Sequence, residues 1–180
     1  MRMNIQRLSP PQAPAYRALM LEAYAAHPDA FTSSVAERVA LPMSWWEARL
    51  ANGPAPREVV LGATEGGSLL GVAGLSFETR EKACHKATLF GMYVPASLRG
   101  RGVGRELVVT ALDCARARPG VRVVQLTVTS GNVAAQTLYE RCGFVTFGLE
   151  PLAVAVDGGF VSKRHMWCDL GATDESTRRT

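Results

Sequence analysis

The sequence predicts an α/β (α+β) fold in which a mixed, mostly antiparallel sheet of about seven strands is flanked by helices. Apolar or alternating runs of strand length recur at residues 5–8, 59–63, 69–77, 87–94, 121–128, 147–156 and 160–170. Glycine pairs at Gly66-Gly67 and Gly158-Gly159 separate neighbouring runs, as in β-hairpins. A helical run over 102–118 lies between two strand runs, which predicts a parallel crossover.

Length and composition indicate one globular domain. The chain has 180 residues, of which 47% are hydrophobic and 20% charged, and this is ordinary for a protein with a single core. We expect a domain over residues 1–170 and a disordered polar tail over 171–180. The net charge of +4 comes from scattered arginines, so the sequence does not indicate nucleic-acid binding.

Cysteine usage and hydropathy bear on compartment and metal binding. Cys84, Cys114, Cys142 and Cys168 lie far apart, form no CxxC pair and have no histidine at metal-ligand spacing. We therefore expect reduced, mostly buried thiols and no metal site. No run approaches the roughly 20 apolar residues of a membrane span, and the first eight residues lack a signal-peptide core. These features predict a cytoplasmic protein that does not bind membranes.

The helices are predicted from periodicity and caps. Residues 13–26 have helical spacing, residues 31–34 form a polar loop, and Ser44 with Glu47 matches a capping box for a helix that ends near Leu50. Asn132 is expected to cap a short helix over 133–142.

A glycine-arginine segment connects the strand run at 87–94 to the helical run. Its glycines let the backbone approach a ligand, and the helix that follows offers unpaired N–H groups and partial positive charge. The segment matches neither the Walker loop nor GxGxxG. We predict a polyanion site, such as a pyrophosphate site, whose residues are Arg99, Gly100, Arg101, Gly102, Val103, Gly104 and Arg105.

A second motif lies about thirty residues further on, where residues 132–144 read NVAAQTLYERCGF. Together with Met92-Tyr93-Val94 and the Arg99-x-x-Gly102-x-Gly104 pattern, it resembles the GNAT superfamily of acyl-CoA N-acyltransferases. The resemblance covers most of the chain, up to about Leu170, and its motifs are most specific over 87–147.

The resemblance implies a sheet that opens into a V between its fourth and fifth strands, with coenzyme A in the opening. The backbone of Met92, Tyr93 and Val94 would then pair with the pantetheine amides, while residues 99–105 would bind the pyrophosphate. Asn132 matches the family residue that helps to hold the pantetheine arm.

The resemblance also implies the chemistry. Tyr139 matches the family tyrosine beside the cofactor sulfur, where a phenol can protonate the departing thiolate. The alternative is that Tyr139 only packs the short helix. A backbone N–H near Met92 or Tyr93 would stabilise the oxyanion.

The general base and the acceptor site are less defined. Neither strand of the crossover contains Asp or Glu, so a water relay to Glu78 or Glu81, or a role for His85, remains open. Phe31 lies where relatives carry a lid over the acceptor. The following helix contains Trp45 and Trp46, which we expect to be core residues.

Taken together, these observations predict an enzyme, an acetyl-CoA-dependent N-acetyltransferase that uses direct attack in a ternary complex. The acceptor is a primary amine of a small molecule or peptide, and by analogy with relatives the protein could be a homodimer. A catalytically silent coenzyme A-binding module is the alternative. It would bind acetyl-CoA tightly and release no thiol.

Overall fold

Seven strands form one sheet in the computed structural model, which describes residues 2–171. The predicted tail beyond residue 171 lies outside the described residues. The strands are β1 (Asn4–Arg7), β2 (Glu58–Glu65), β3 (Ser68–Phe77), β4 (Lys86–Tyr93), β5 (Val123–Thr129), β6 (Val145–Val156) and β7 (Gly159–Asp169). Their order across the sheet is β1-β2-β3-β4-β5-β7-β6. All neighbours are antiparallel except β4 and β5, so the predicted mixed sheet and its crossover are confirmed.

Five α-helices flank the sheet within residues 2–171. They are α1 (Ala13–Ala26), α2 (Val35–Val39), α3 (Met43–Arg49), α4 (Val103–Ala117) and α5 (Val133–Arg141). The sequence did not predict α2, although Ser34 and Glu37 form its capping box. The capping box predicted at Ser44 is wrong, because α3 begins at Met43 with Pro42 at its N-cap.

The sheet opens between its two parallel strands. β4 and β5 pair over only three positions, which end at Thr88 and Gln125. Beyond these residues the strands diverge, and β5 continues to pair with β7 as far as Thr129. The V-shaped split expected between the fourth and fifth strands is therefore confirmed.

Apolar side chains cover both faces of the sheet. On one face, α4 buries the side that the sequence predicts, including Leu107, Val108 and Ala111, against β2, β3 and β4. On the other face, α1 and α3 pack on the strands, and Trp46 has no exposed surface. The two helical layers hold β4 in place while its end remains open beside β5.

Three further observations bear on the remaining predictions. Of the cysteines, Cys168 is buried, Cys84 is exposed and the others are partly buried, so the expectation of mostly buried thiols is wrong.

No helix among residues 2–171 is long and apolar enough to span a bilayer. The edge strand β6 has four apolar residues that are more than half exposed: Val145, Phe147, Leu149 and Leu152.

Candidate active site

A cavity of about 350 Å³ lies where β4 and β5 separate. Both strands line it, together with α1, the segment that follows α1 and the start of α5. On the side of β4 that faces β5, residues 89–93 have no strand partner because the pairing stops at Thr88. The structure therefore places an unpaired strand edge, with its N–H and C=O groups, beside a cavity.

Strand β4 contains a β-bulge at the same place. Ala73 of β3 lies opposite two residues of β4, Gly91 and Met92, and neither has a register partner. Gly91 has φ +56°, a conformation that favours glycine. The strand predicted over 87–94 is confirmed as β4, and the bulge is a detail that the prediction did not include, although a glycine inside a strand run is the usual signal of a bulge. The bulge leaves two residues that line the cavity, Gly91 and Met92, without register partners on β3.

Tyr139 reaches the same cavity from α5. Its side chain is 9% exposed, and its hydroxyl donates to Sδ of Met92 at 3.4 Å. Burial raises the pKa of Tyr139 to about 12. The side chain is therefore a neutral hydrogen-bond donor at physiological pH, and its weak sulfur partner leaves it able to turn towards a better acceptor.

Asn132 begins α5 and lines the cavity as well. Its Oδ1 accepts a hydrogen bond from the N–H of Ala135 at 3.2 Å, which confirms the predicted cap. Because the oxygen is used in the cap, the amide nitrogen of Asn132 remains a donor. The structure thus brings Met92, Asn132 and Tyr139 together in one cavity.

The glycine-arginine segment lies outside this cavity, between β4 and α4. Gly100 and Gly102 have φ +78° and +81°, and a Cβ at either position would meet no atom within 4 Å. Gly102 is the N-cap of α4 and provides no side-chain cap, so the first N–H groups of the helix stay open. Gly104 has a different role, because its Cβ would lie 3.1 Å from Cε of Met92. It lets α4 pack closely on β4.

The arginines of this segment already have partners. Arg101 pairs with Glu65 at 3.0 Å and Arg105 with Glu106 at 3.1 Å. Arg99 donates from Nε to the carbonyl oxygen of Val94 at 3.2 Å. Exposed pairs of this kind are weak and can be exchanged for another anion. The backbone N–H groups at the start of α4 are therefore more available to a ligand than the arginine side chains are.

The remaining predicted cofactor residues lie on the β4 edge and just beyond it. The Tyr93 side chain points towards α1, where its hydroxyl donates to Glu22 at 2.9 Å. Only the backbone of Tyr93 can therefore face a ligand in the V. The carbonyl oxygen of Val94 is occupied by Arg99, which leaves fewer free acceptors along this edge than the sequence suggests.

Phe31 lies in the cavity wall on the side of α1 and α2. Its ring packs edge-on against Tyr24, with 5.1 Å between the ring centroids. Trp46 is a buried core residue, as predicted, whereas Trp45 is half-buried and contacts two arginine side chains. The predicted acceptor segment therefore does border the cavity.

Glu78, which the sequence analysis names as a candidate for the proton relay, does not line this cavity. Its N–H bonds to the carbonyl oxygen of Lys86, at the closed end of the V, and its carboxylate pairs with Arg80 at 2.6 Å. Hydrogen bonds from Arg80 hold the pKa of Glu78 at about 2. Glu81 and His85 belong to the same end of β4, so the candidate bases named from the sequence lie away from the opening.

Three cations line the cavity, and the sequence analysis assigned a role to none of them. They are Arg38, Arg49 and Lys163, and no Asp or Glu is part of the lining. Partial burial lowers the pKa of Lys163. These residues come from α2, α3 and β7, so only the tertiary structure brings them together. Among residues 2–171, no group of His, Cys, Asp or Glu side chains is arranged to hold a metal ion.

Comparison with known proteins places the site in a family. The model of the acetyltransferase (GNAT) family matches residues 16–144. A solved acetyltransferase of the GNAT family from Streptococcus pneumoniae superposes with a TM-score of 0.83 at 24% identity, over 93% of this chain and 99% of that one. The shared fold thus extends over nearly the whole described structure.

Curated relatives are similar over shorter regions. The N-alpha-acetyltransferase RimI of Mycobacterium tuberculosis is 36% identical over 103 residues, which cover 57% of this chain and 62% of that protein. The L-methionine sulfoximine/L-methionine sulfone acetyltransferase of Pseudomonas paraeruginosa is 26% identical over 130 residues, or 72% of this chain and 73% of that protein. The family match covers well over half of the sequence and includes both motifs at the V-shaped opening, so the chain belongs to the GNAT family of acetyltransferases.

Proposed function

We propose that the protein is an N-acetyltransferase that moves an acetyl group from acetyl-CoA to a primary amine of a small molecule or peptide. One observation carries the proposal. The unpaired, bulged edge of β4 meets Tyr139 and Asn132 in a single cavity at the opening of the sheet. This arrangement offers backbone groups for an extended ligand, a free amide donor and a neutral phenol within one small space.

The residues present fit an acetyl-CoA molecule along the V. The edge of β4 at residues 92–94 can pair with the amides of an extended chain, as in strand addition. The open N–H groups from Gly102 to Arg105 suit a pyrophosphate, and space above Gly100 and Gly102 lets it approach the backbone. The side-chain amide of Asn132 can donate a hydrogen bond to the pantetheine arm, which would lie between these two regions. When bound, acetyl-CoA supplies the thioester carbonyl that the amine attacks.

Tyr139 and the backbone of β4 each supply part of the proposed chemistry. Tyr139 stays protonated at neutral pH because burial raises its pKa, and its hydroxyl can donate to a sulfur that gains negative charge. The unpaired backbone at Gly91 and Met92 supplies N–H groups that can point towards a developing oxyanion. Donors fixed by the sheet need no rearrangement during the reaction.

Proton removal from the amine follows from the charges in the cavity. No carboxylate belongs to the lining, and nearby cations disfavour an ammonium while they leave a neutral amine unaffected. We propose that the amine gives up its proton to water and attacks as the neutral base. Direct attack then needs no acyl-enzyme, and burial raises the pKa of Cys142, which keeps that thiol a poor nucleophile.

We also propose that the protein forms a homodimer through β6. This strand lies at the edge of the sheet, with β7 on one side of it, and exposes alternate apolar side chains. Such an edge is prone to pair with another chain, and an apolar edge gains additional stability from burial. A second copy would cover this surface without approaching the β4 edge.

The test of function combines binding with turnover. At a concentration one hundred times its dissociation constant, acetyl-CoA should stabilise the fold by about 2.7 kcal/mol. For a domain of this size, that corresponds to an increase in Tm of about 5–11 °C. Free-thiol release should then depend on added amine. A normal shift without thiol release from any amine would favour the silent binding module, and no shift would disprove the proposal.

A further inference from the structure

The cavity wall has an unbalanced charge. Arg49 pairs with Glu58 at 3.1 Å, and both side chains are partly buried. Arg38 and Lys163 have no carboxylate oxygen within 4 Å in the described part of the chain, whose ion pairs all involve other residues. Glu150 is the cross-strand neighbour of Lys163 but pairs with His165 at 2.7 Å, and Glu37, next to Arg38, accepts from the N–H of Ser34. Arg38 and Lys163 thus line the cavity as two positive charges without an ion-pair partner in residues 2–171. An ammonium group alone would be repelled there.

Arg38 is held in position for a ligand. Its guanidinium lies 4.8 Å from the Trp45 ring centroid and 5.9 Å from that of Tyr24. One terminal nitrogen donates to Oγ of Ser33 at 2.7 Å. A guanidinium carries five N–H donors in a rigid fork, so most of them remain available. Because the side chain is already ordered by these contacts, little conformational entropy would be lost when it binds an anion.

Lys163 lies on a different wall of the cavity. It pairs in register with Thr129 of β5 and therefore projects on the same side of the sheet as Thr129, which also lines the cavity. Arg38 belongs to α2, beyond the segment that contains Phe31. The two cations thus face the cavity from separate elements, and an acceptor held between them must bring negative charge.

We propose that the acceptor is an amine that also carries an oxyanion, such as a carboxylate, and that Arg38 binds this oxyanion with charge support from Lys163. The inference rests on the proposed function and specifies its substrate class. The fork of Arg38 suits the two oxygens of a carboxylate, as well as phosphinate and phosphonate groups that share this chemistry. Binding of the anion offsets the repulsion that the amine meets and leaves the nitrogen free to reach the β4 edge.

Matched acceptors test the inference. We would compare L-leucine, L-leucinamide and 3-methylbutylamine, which share a side chain and differ in the group that the anion would occupy, and add the aminophosphonate analogue of leucine as a fourth arm. Thiol release should show a kcat/KM at least tenfold higher for the two anionic acceptors than for the two neutral ones. The ratio between carboxylate and phosphonate identifies the oxyanion that the site prefers.

Substitutions of Arg38 and Lys163 then test which residue causes the preference for anionic acceptors. Arg38→Met keeps an apolar stem against Trp45 and removes the fork, so kcat/KM for the carboxylate acceptor should fall by ten- to a hundredfold, mainly through KM. The value for the amide should stay within twofold. Lys163→Met should produce a smaller loss with the same selectivity. Arg17→Met is the control, because Arg17 donates to the carbonyl oxygen of Val39 and does not line the cavity.

The outcomes separate the inference from the function on which it rests. Equal turnover of acid, amide and amine would overturn the anion site and leave the acetyltransferase proposal intact. A uniform loss for all acceptors in Arg38→Met would do the same. No thiol release from any acceptor would overturn both. Binding of N-acetyl-L-leucine, measured as a shift in the Tm of the protein, provides a readout that does not need turnover. Arg38→Met should abolish that shift.

Discussion

Tyr139 is the single residue on which the proposed chemistry depends most. Its hydroxyl has one weak protein partner, the sulfur of Met92, and yet the ring is buried against Phe144. A buried hydroxyl normally has a strong hydrogen-bond partner, because an unsatisfied polar group costs free energy. The absence of a stronger partner in the described residues therefore points to a donor reserved for a ligand.

Tyr139→Phe should lower kcat by about a hundredfold, at the lower end of what a positioned general acid contributes. The acetyl-CoA dissociation constant should change by less than about threefold, because the ring and its packing are kept. Steady-state kinetics and calorimetric titration provide the two values. If affinity and turnover fall together by the same factor, Tyr139 is a packing residue and the assignment is wrong.

The pH dependence of kcat follows from the same side chain. Ionisation would convert Tyr139 from donor to anion, and burial moves that pKa from 10.0 to about 12. The donor is therefore fully present below pH 10. We expect kcat to rise about tenfold per pH unit while the bound amine titrates, then to level off without a decline up to pH 10. A decline with a midpoint below pH 9 in protein that circular dichroism shows to be folded would contradict this.

Single residues also show where the sequence was sufficient. Asn132 was predicted as a helix cap because cap chemistry is local, and the bond to Ala135 confirms it. Glu78 was named because no carboxylate occurs on the two crossover strands, but the turn after β3 folds it towards Arg80. Arg38 and Lys163 are 125 positions apart in the chain. No local pattern reports that such residues share a cavity.

Among the secondary-structure elements, the start of helix α4 offers the most direct test of the proposed pyrophosphate site. Gly102 has a left-handed conformation at the N-cap, and Gly120 has nearly the same φ, +84°, just after the helix. Neither has an atom within 4 Å of a virtual Cβ. The two glycines therefore form a matched pair with equal conformational cost and different neighbours.

Gly102→Ala and Gly120→Ala should each destabilise the protein by about 1 kcal/mol, the usual cost of a left-handed conformation for a residue with a Cβ. Only Gly102→Ala should weaken acetyl-CoA binding, by roughly tenfold or more, because it disturbs the N–H groups at the helix start. Thermal unfolding and calorimetric titration measure the two effects. Equal affinity in both variants would disprove the pyrophosphate site.

The strands and the long helices were predicted better than the short helices and the irregular details. Strand and helix runs follow hydrophobic periodicity, and α4 buries the side that its pattern indicates. The bulge at Gly91 escaped prediction because it depends on the register with β3, which alternation along one strand cannot specify. Ser34 with Glu37 and Ser44 with Glu47 have the same spacing, so the local pattern does not distinguish the true capping box of α2 from the false one in α3.

For the whole molecule, the apolar edge at β6 is the surface through which we propose that two copies associate. Val145 and Trp167 are register partners in β6 and β7, and both are exposed. Phe147, which is 55% exposed, packs edge-on against His165 and extends this apolar surface. Association here would bury the unpaired edge of β6 and leave the opening between β4 and β5 accessible on each copy.

Phe147→Lys should convert the proposed dimer into a monomer, because it places a charge where apolar side chains would meet. Size-exclusion chromatography with light scattering at about 50 µM protein should give twice the chain mass for the unaltered protein and the chain mass for the variant. Val39→Lys is the control, since Val39 is a 49% exposed apolar residue on α2, and this variant should remain a dimer. Because Phe147 does not line the cavity, thiol release per chain should persist in the monomer. A monomeric unaltered protein at this concentration would rule out the β6 interface.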